Sequence, residues 1–340
     1  MLIRAALRRV LRRSTRFPGI ALNLGRRLTV RMDTTNRCNL RCSMCPMRLS
    51  DSDPGRVWMD MDGALFDRIA GQVFPRASSV SLSCGAEPLC NPSFPDHLRT
   101  LYRADVPCRE MVTNGLLLEG DRLETVLSHP PTSIAVSIDG SEEATHAAIR
   151  GGCDLAAVVR NLKALDAGKK SRRLMIPHVS FSTTLQRRNL HELDGIVKLA
   201  AECGAEAVNV NLLVPYRGLG MSEEALDADA PEVELAFREA ESSARGQGLI
   251  LNRTGSASPG GRCRYVPSWV FIAPDGLVFP CPYWNLSDPA GDLSKQDFRE
   301  VRSAPMYRAL EARLASGVLE GTCASCPELA ESGREEIGKV

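Results

Sequence analysis

The residues of this chain best suited to chemistry are three cysteines held within eight positions, Cys38-Asn39-Leu40-Arg41-Cys42-Ser43-Met44-Cys45, followed by Pro46. Their spacing is C-x3-C-x2-C. Thiolate sulfur is a soft ligand that suits iron–sulfur clusters or zinc. A cubane cluster takes four ligands, and this loop offers three. The fourth iron is then either ligated from far away or left open. An open iron can bind a small molecule and act on it. A second set, Cys263, Cys281, Cys323 and Cys326, lies toward the C-terminus. Its C-x2-C pair lets two sulfurs face one site, and four thiolates complete either a closed cluster or a zinc ribbon.

The cysteine loop needs a scaffold, and residues 28–215 supply a repeating one. The expected strands are 28–33, 78–83, 109–113, 133–139, 174–183 and 206–213. The expected helices are 62–73, 94–104, 119–128, 154–168 and 189–203. Such alternation means a parallel sheet with helices outside it. There is no dinucleotide-type glycine motif after the first strand. That favours an α/β fold of the curved kind, a partial (β/α)6 TIM-like barrel, over a doubly wound sheet. Chemistry then belongs at the C-terminal ends of the strands, where the cysteine loop falls. Side chains alternate along a strand. Turning the apolar set toward the helices leaves Thr29, Arg31, Asp33, Ser81, Ser83, Ser137, Asp139, His178, Ser180, Ser182, Asn209 and Asn211 inside. A lumen this polar predicts a binding cavity rather than a packed core.

The cysteine loop resembles the cluster motif of the radical S-adenosylmethionine (SAM) superfamily. Cys84-Gly85-Ala86-Glu87-Pro88 is similar to that family's glycine–glutamate–proline element, with Ala86 where a glycine is usual. Thr113-Asn114-Gly115, Ser137-Ile138-Asp139-Gly140 and the run His146 to Gly152 follow in the family's order. The resemblance implies a 4Fe-4S cluster on Cys38, Cys42 and Cys45, with SAM on its open iron. It implies that Met44, Gly85, Glu87, Thr113, Asn114, Ser137 and Asp139 bind SAM. In the family, an electron from the cluster splits SAM, and the resulting 5′-deoxyadenosyl radical abstracts hydrogen from the substrate.

Residues 255–340 resemble the auxiliary-cluster domain of SPASM and twitch radical SAM enzymes, a small α+β unit. The likeness rests on Gly276 to Cys281 and the terminal C-x2-C-Pro, around an expected hairpin of Trp269–Ala273 and Leu277–Pro280. Full SPASM domains carry seven cysteines. Four here imply one auxiliary 4Fe-4S cluster on Cys263, Cys281, Cys323 and Cys326, with zinc as the alternative. The expected division is a basic N-terminal helix over 1–27, a barrel over 28–215, a linker and helix over 216–254, and the auxiliary domain over 255–340.

With 42 Lys and Arg against 41 Asp and Glu, the net charge is +1, so no global field for nucleic acid exists. No apolar run approaches the roughly 18–20 residues of a membrane span. The eight arginines of residues 1–27 suit a solvated helix face, or surface contact with an anionic membrane by residues 1–13. Twelve cysteines without a signal-peptide core point to a reducing, cytoplasmic setting.

The main expectation is an oxidoreductase of dehydrogenase type acting on a polar small molecule: a sugar, cyclitol or nucleoside-like alcohol. Its electron donor would be a flavodoxin or ferredoxin. His178, Asp139 and Arg31 are lumen candidates for holding or deprotonating that alcohol. Cys84 could return a hydrogen atom to a substrate radical, although its parity with Val80 and Leu82 points it toward the helices. Cys90, Cys108, Cys153 and Cys203 suit small buried apolar positions. The alternatives are a peptide maturase making a crosslink or epimer, a redox-neutral sugar epimerase or decarboxylase, and a non-catalytic zinc module.

Overall fold

Apolar side chains at every second position give each expected strand one face to bury, and the helices between them supply the cover. A computed structural model describes residues 26–50, 55, 57–254, 263, 265, 266, 268–324, 326 and 329. Residues 1–25 of the expected basic helix, and its membrane contact, lie outside the described residues. Strands β1 (Leu28–Met32), β2 (Ala77–Ser81), β3 (Cys108–Thr113), β4 (Ser133–Ser137), β5 (His178–Leu185) and β6 (Ala207–Leu212) pair in parallel and in chain order. Outside them pack α1 (Gly63–Val73), α2 (Phe94–Arg103), α3 (Gly120–Ser128), α5 (Leu155–Ser171) and α6 (Leu193–Glu202). A short helix, α4 (Glu143–Ile149), was not among those expected.

The outward face of the strands carries the core: Val30, Met32, Val80, Ile134, Val136, Phe181, Val208 and Val210 are fully buried. Each such side chain contributes about 1.5–3 kcal/mol by leaving water. Helix starts are set by local chemistry. The Asp62 carboxylate accepts from Leu65 N at 2.8 Å to open α1, and Asp154 accepts from Ala157 N at 2.8 Å to open α5.

The sheet runs beyond the six expected strands. The segment read as linker and helix forms α7 (Pro231–Gln247) and then a strand, β7 (Ile250–Thr254), parallel to β6. At the other edge β8 (Trp269–Ile272) pairs in parallel with β1. It turns at Gly276, φ +87°, into antiparallel β9 (Leu277–Phe279), and β10 (Gly291–Asp292) follows. The result is a ten-stranded sheet among the described residues, with β10 and β7 at its two edges. It is a partial barrel, joined to a small C-terminal unit with helices α8 (Phe298–Arg302) and α9 (Pro305–Ala315). No helix of the described residues is long and apolar enough to cross a membrane.

One buried group ties this core to pH. His97 on α2 stacks on Phe66 of α1, with ring centroids 4.1 Å apart and planes 15° apart. Neither ring nitrogen has a hydrogen-bond partner, and burial holds the imidazole down to about 4 from its ordinary 6.5. The unfolded chain therefore binds a proton that the folded one refuses, so stability is lost as the pH falls from 6.5 toward about 4. His97→Phe keeps the stack and removes the proton site. Thermal unfolding followed across that interval should show a steep loss in the wild type and a flatter one in the variant.

Candidate active site

The cysteine loop leaves β1 through Asp33 and a braced stem. Asn91 Nδ2 donates to Thr34 O at 2.6 Å, and Thr35 Oγ1 donates to Asp60 Oδ1 at 2.6 Å. Asn36 exchanges side-chain bonds of 2.8 Å with Val57 O and Met59 N. Within the loop, Cys45 N donates to Cys42 O at 3.1 Å, and Leu40 N points at Cys38 Sγ at 3.5 Å. Burial pushes the Cys38 thiol up to about 12 and also raises Cys42, where the Arg150 guanidinium acts in opposition. A bound metal must displace those protons.

Above the C-terminal strand ends lies a cavity of about 360 Å³. Cys38, Cys42 and Cys45 line it, as do Met44, Gly85, Glu87, Thr113, Asn114 and Ser137. Two carboxylates, the half-buried Asp33 and the buried Glu87, shape the loops around it. Asp33 Oδ1 accepts from Cys84 N at 2.7 Å, Gly85 N at 3.0 Å and Ala86 N at 3.4 Å. Glu87 accepts from Thr113 Oγ1 at 2.8 Å, Asn114 N at 2.7 Å and Leu89 N at 3.1 Å. Burial lifts the Glu87 carboxyl to about 7 against the pull of those donors. Asn114 Nδ2 reaches back to Asn39 Oδ1 in the cysteine loop at 2.8 Å. Gly115 must be glycine: its φ is +78°, and a Cβ would stand 2.9 Å from Val158 Cγ1.

Four expectations about side chains need correction. Asp139 does not line the cavity. Its carboxylate is wholly buried, accepting from Thr184 N at 2.7 Å and lying 2.5 Å from Arg150 Nε. Cys84 does not point toward the helices; it lines the cavity, because β2 ends at Ser81 and strand alternation ends with it. His178 opens β5 at the far end of the sheet, exposed and 2.7 Å from Glu206. Arg31 sits deeper than the cavity, paired with Glu110 at 3.3 Å and over the Trp269 ring. Residues the sequence reading passed over include Arg150, Thr184 and Tyr216, all on the cavity wall. Arg150 stood within a motif run, and Thr184 shares the parity of Ser182. No local signal marks Tyr216.

The second cysteine set assembles elsewhere. Because β9 runs antiparallel to β8, Cys281 emerges at the end of the sheet opposite the cysteine loop. Burial pushes its thiol up to about 12, and Cys326, Cys263 and Cys323 add to the rise. Among the described residues, no three His, Cys, Asp or Glu side chains converge closely enough for a single metal ion.

Comparison with known proteins agrees with this geometry. The family model described as the radical SAM superfamily matches residues 32–211, and the SPASM iron–sulfur cluster-binding domain matches residues 263–327. An AdoMet-dependent heme synthase of Methanosarcina barkeri is 28% identical over 319 residues, covering 86% of each chain. A PqqA peptide cyclase of Rhodopseudomonas palustris is 25% identical, covering 90% of this chain and 81% of its own. The crystal structure of Streptococcus suis SuiB bound to S-adenosylmethionine superposes with a TM-score of 0.69 at 14% identity, over 91% of this chain and 73% of that one.

Asp33 is the support whose removal should be most telling. Hydrogen bonds to a charged acceptor contribute about 1.5–3 kcal/mol each. Asp33→Ala should loosen backbone 84–86 and weaken SAM binding by about ten- to a hundredfold, while iron content stays at the wild-type level. Equilibrium dialysis of the cluster-loaded protein, with an iron assay beside it, checks both.

Proposed function

Since this chain belongs to the radical SAM superfamily, with a SPASM cluster segment behind its barrel, we propose that it modifies a peptide. Its cofactors are SAM, the SAM-binding 4Fe-4S cluster and auxiliary iron–sulfur chemistry in the C-terminal unit. With SAM on its open iron, that cluster supplies a radical able to abstract hydrogen from an unactivated C–H bond. We assign it to Cys38, Cys42 and Cys45, and the auxiliary cluster to Cys263, Cys281, Cys323 and Cys326. Met44, Gly85, Glu87, Thr113, Asn114 and Ser137 are proposed as SAM contacts. Asp139 passes from that group to the support of Arg150. A flavodoxin- or ferredoxin-like donor remains the proposed electron source.

The observation that carries the peptide reading is the likeness to a peptide cyclase over 90% of this chain. It displaces the expected sugar or cyclitol substrate, which neither curated relative described above takes by name. The site suits a larger substrate in two ways. Ser182, Thr184 and Asn211 give the cavity wall hydroxyl and amide groups able to bond a peptide backbone. Beside the cysteine loop, Val57 and Trp58 form a ledge, 68% and 38% exposed, held by the Asn36 side chain. Arg37 and Arg41 stack on Trp58 at 5.7 and 5.8 Å. An apolar ledge edged with cations fits an extended chain bearing acidic residues.

A second reading, action on a tetrapyrrole, is favoured by the 28% identity to the heme synthase. One assay separates the two. Cluster-loaded, reduced protein is given SAM under anaerobic conditions, and 5′-deoxyadenosine is followed with three additions in turn: short peptides encoded beside the gene, a carboxylated tetrapyrrole, and an aminocyclitol. A peptide should accelerate SAM cleavage and change its own mass, and Cys42→Ala should abolish both. Acceleration by the tetrapyrrole alone would overturn the peptide reading in favour of the second. Acceleration by the aminocyclitol alone would overturn both.

A further inference from the structure

The segment from Ile149 to Gly151 grips the cysteine loop from below. Ser43 N donates to Ile149 O at 2.8 Å, and Ser43 Oγ reaches the same oxygen at 3.3 Å. Gly151, at φ +64°, lies so close that a Cβ would stand 2.4 Å from Arg41 O. Between these two contacts, Arg150 Nη1 approaches Cys42 Sγ at 3.9 Å. Arg150 is held in turn by Asp139, whose Oδ2 lies 2.5 Å from Nε and whose Oδ1 is pinned by Thr184 N at 2.7 Å. The end of β4, the end of β5, the C-terminus of α4 and the cysteine loop therefore meet at one buried ion pair.

We propose that Asp139 and Arg150 are a positioning pair that sets the reduction potential of the SAM-binding cluster through the sulfur of Cys42. A guanidinium directed at a ligating sulfur draws off electron density and favours the more negative, reduced cluster. Asp139 partly cancels that charge while fixing the direction in which it acts. Asp139 is wholly buried and the Arg150 side chain only 13% exposed, so water screens the two charges weakly. The two residues thus pull the potential in opposite directions, and the chain sets it by holding them together.

This inference rests on the assignment of Cys38, Cys42 and Cys45 to that cluster, and the test keeps the two apart. Redox titration followed by electron paramagnetic resonance is run on the full chain loaded with both clusters, without SAM. Arg150→Gln should move the SAM-binding cluster to lower potential and Asp139→Asn to higher. Arg150→Lys, which keeps the charge, should fall between Arg150→Gln and wild type. The auxiliary cluster serves as an internal standard and should stay where it is. Equal potentials in all variants, or both clusters shifting together, would overturn the inference. Loss of the cluster signal in Asp139→Asn and Arg150→Lys alike would overturn it too, by making the pair a purely structural support. A variant combining Cys38→Ala, Cys42→Ala and Cys45→Ala that still holds both clusters would instead overturn the assignment beneath it.

Discussion

Parallel pairing in chain order is the constraint on which everything else in this protein depends. When six strands run the same way side by side, all six outgoing loops must leave from one rim. The cysteine loop after β1, residues 84–87 after β2, Thr113 to Gly115 after β3 and the gripping segment after β4 share that rim for this reason alone. The ladder also keeps register, so Ser137, Ser182 and Asn209 lie level across β4, β5 and β6. Polar side chains then face inward together while the apolar set meets the helices.

Three carboxylates tie the rim together, Glu87 and Asp139 buried and Asp33 half-buried. Three backbone N–H groups converge on Asp33, three donors on Glu87, and the Arg150 guanidinium on Asp139. Burying a carboxylate is costly unless its oxygens are satisfied. Here each one is bonded to a neighbouring loop, so the cost of burial is offset only when the loops stand in their proper places. That dependence ties the loop positions to one another, which is what positioning a reactive group demands.

The two cysteine sets hang on one sheet but at opposite ends of it. Strand β8 lies directly against β1, and the reversal at Gly276 carries the chain back toward Cys281. Between the sets, Arg31 pairs with Glu110 and lies over the Trp269 ring. Arg31, read from the sequence as a substrate group, is instead held by these two neighbours.

Much of this was legible in the chain itself. The spacing of Cys38, Cys42 and Cys45, the two-residue alternation of the strands and the turn residues at Gly115 and Gly276 are local properties. They need only near neighbours to have meaning, and they led to the barrel, the inward polar face and the position of the cysteine loop. Other features depend on residues far apart in sequence. Asp33 could not be matched to Cys84 and Gly85, nor Arg150 to Cys42, before pairing brought them into contact. Alternation misled at Cys84 because the strand stops first, and at His178 because β5 begins there rather than four residues earlier. Periodicity says which way a side chain points only while the strand lasts; where strands begin and end, and what their loops then touch, was decided by the packing of the whole sheet.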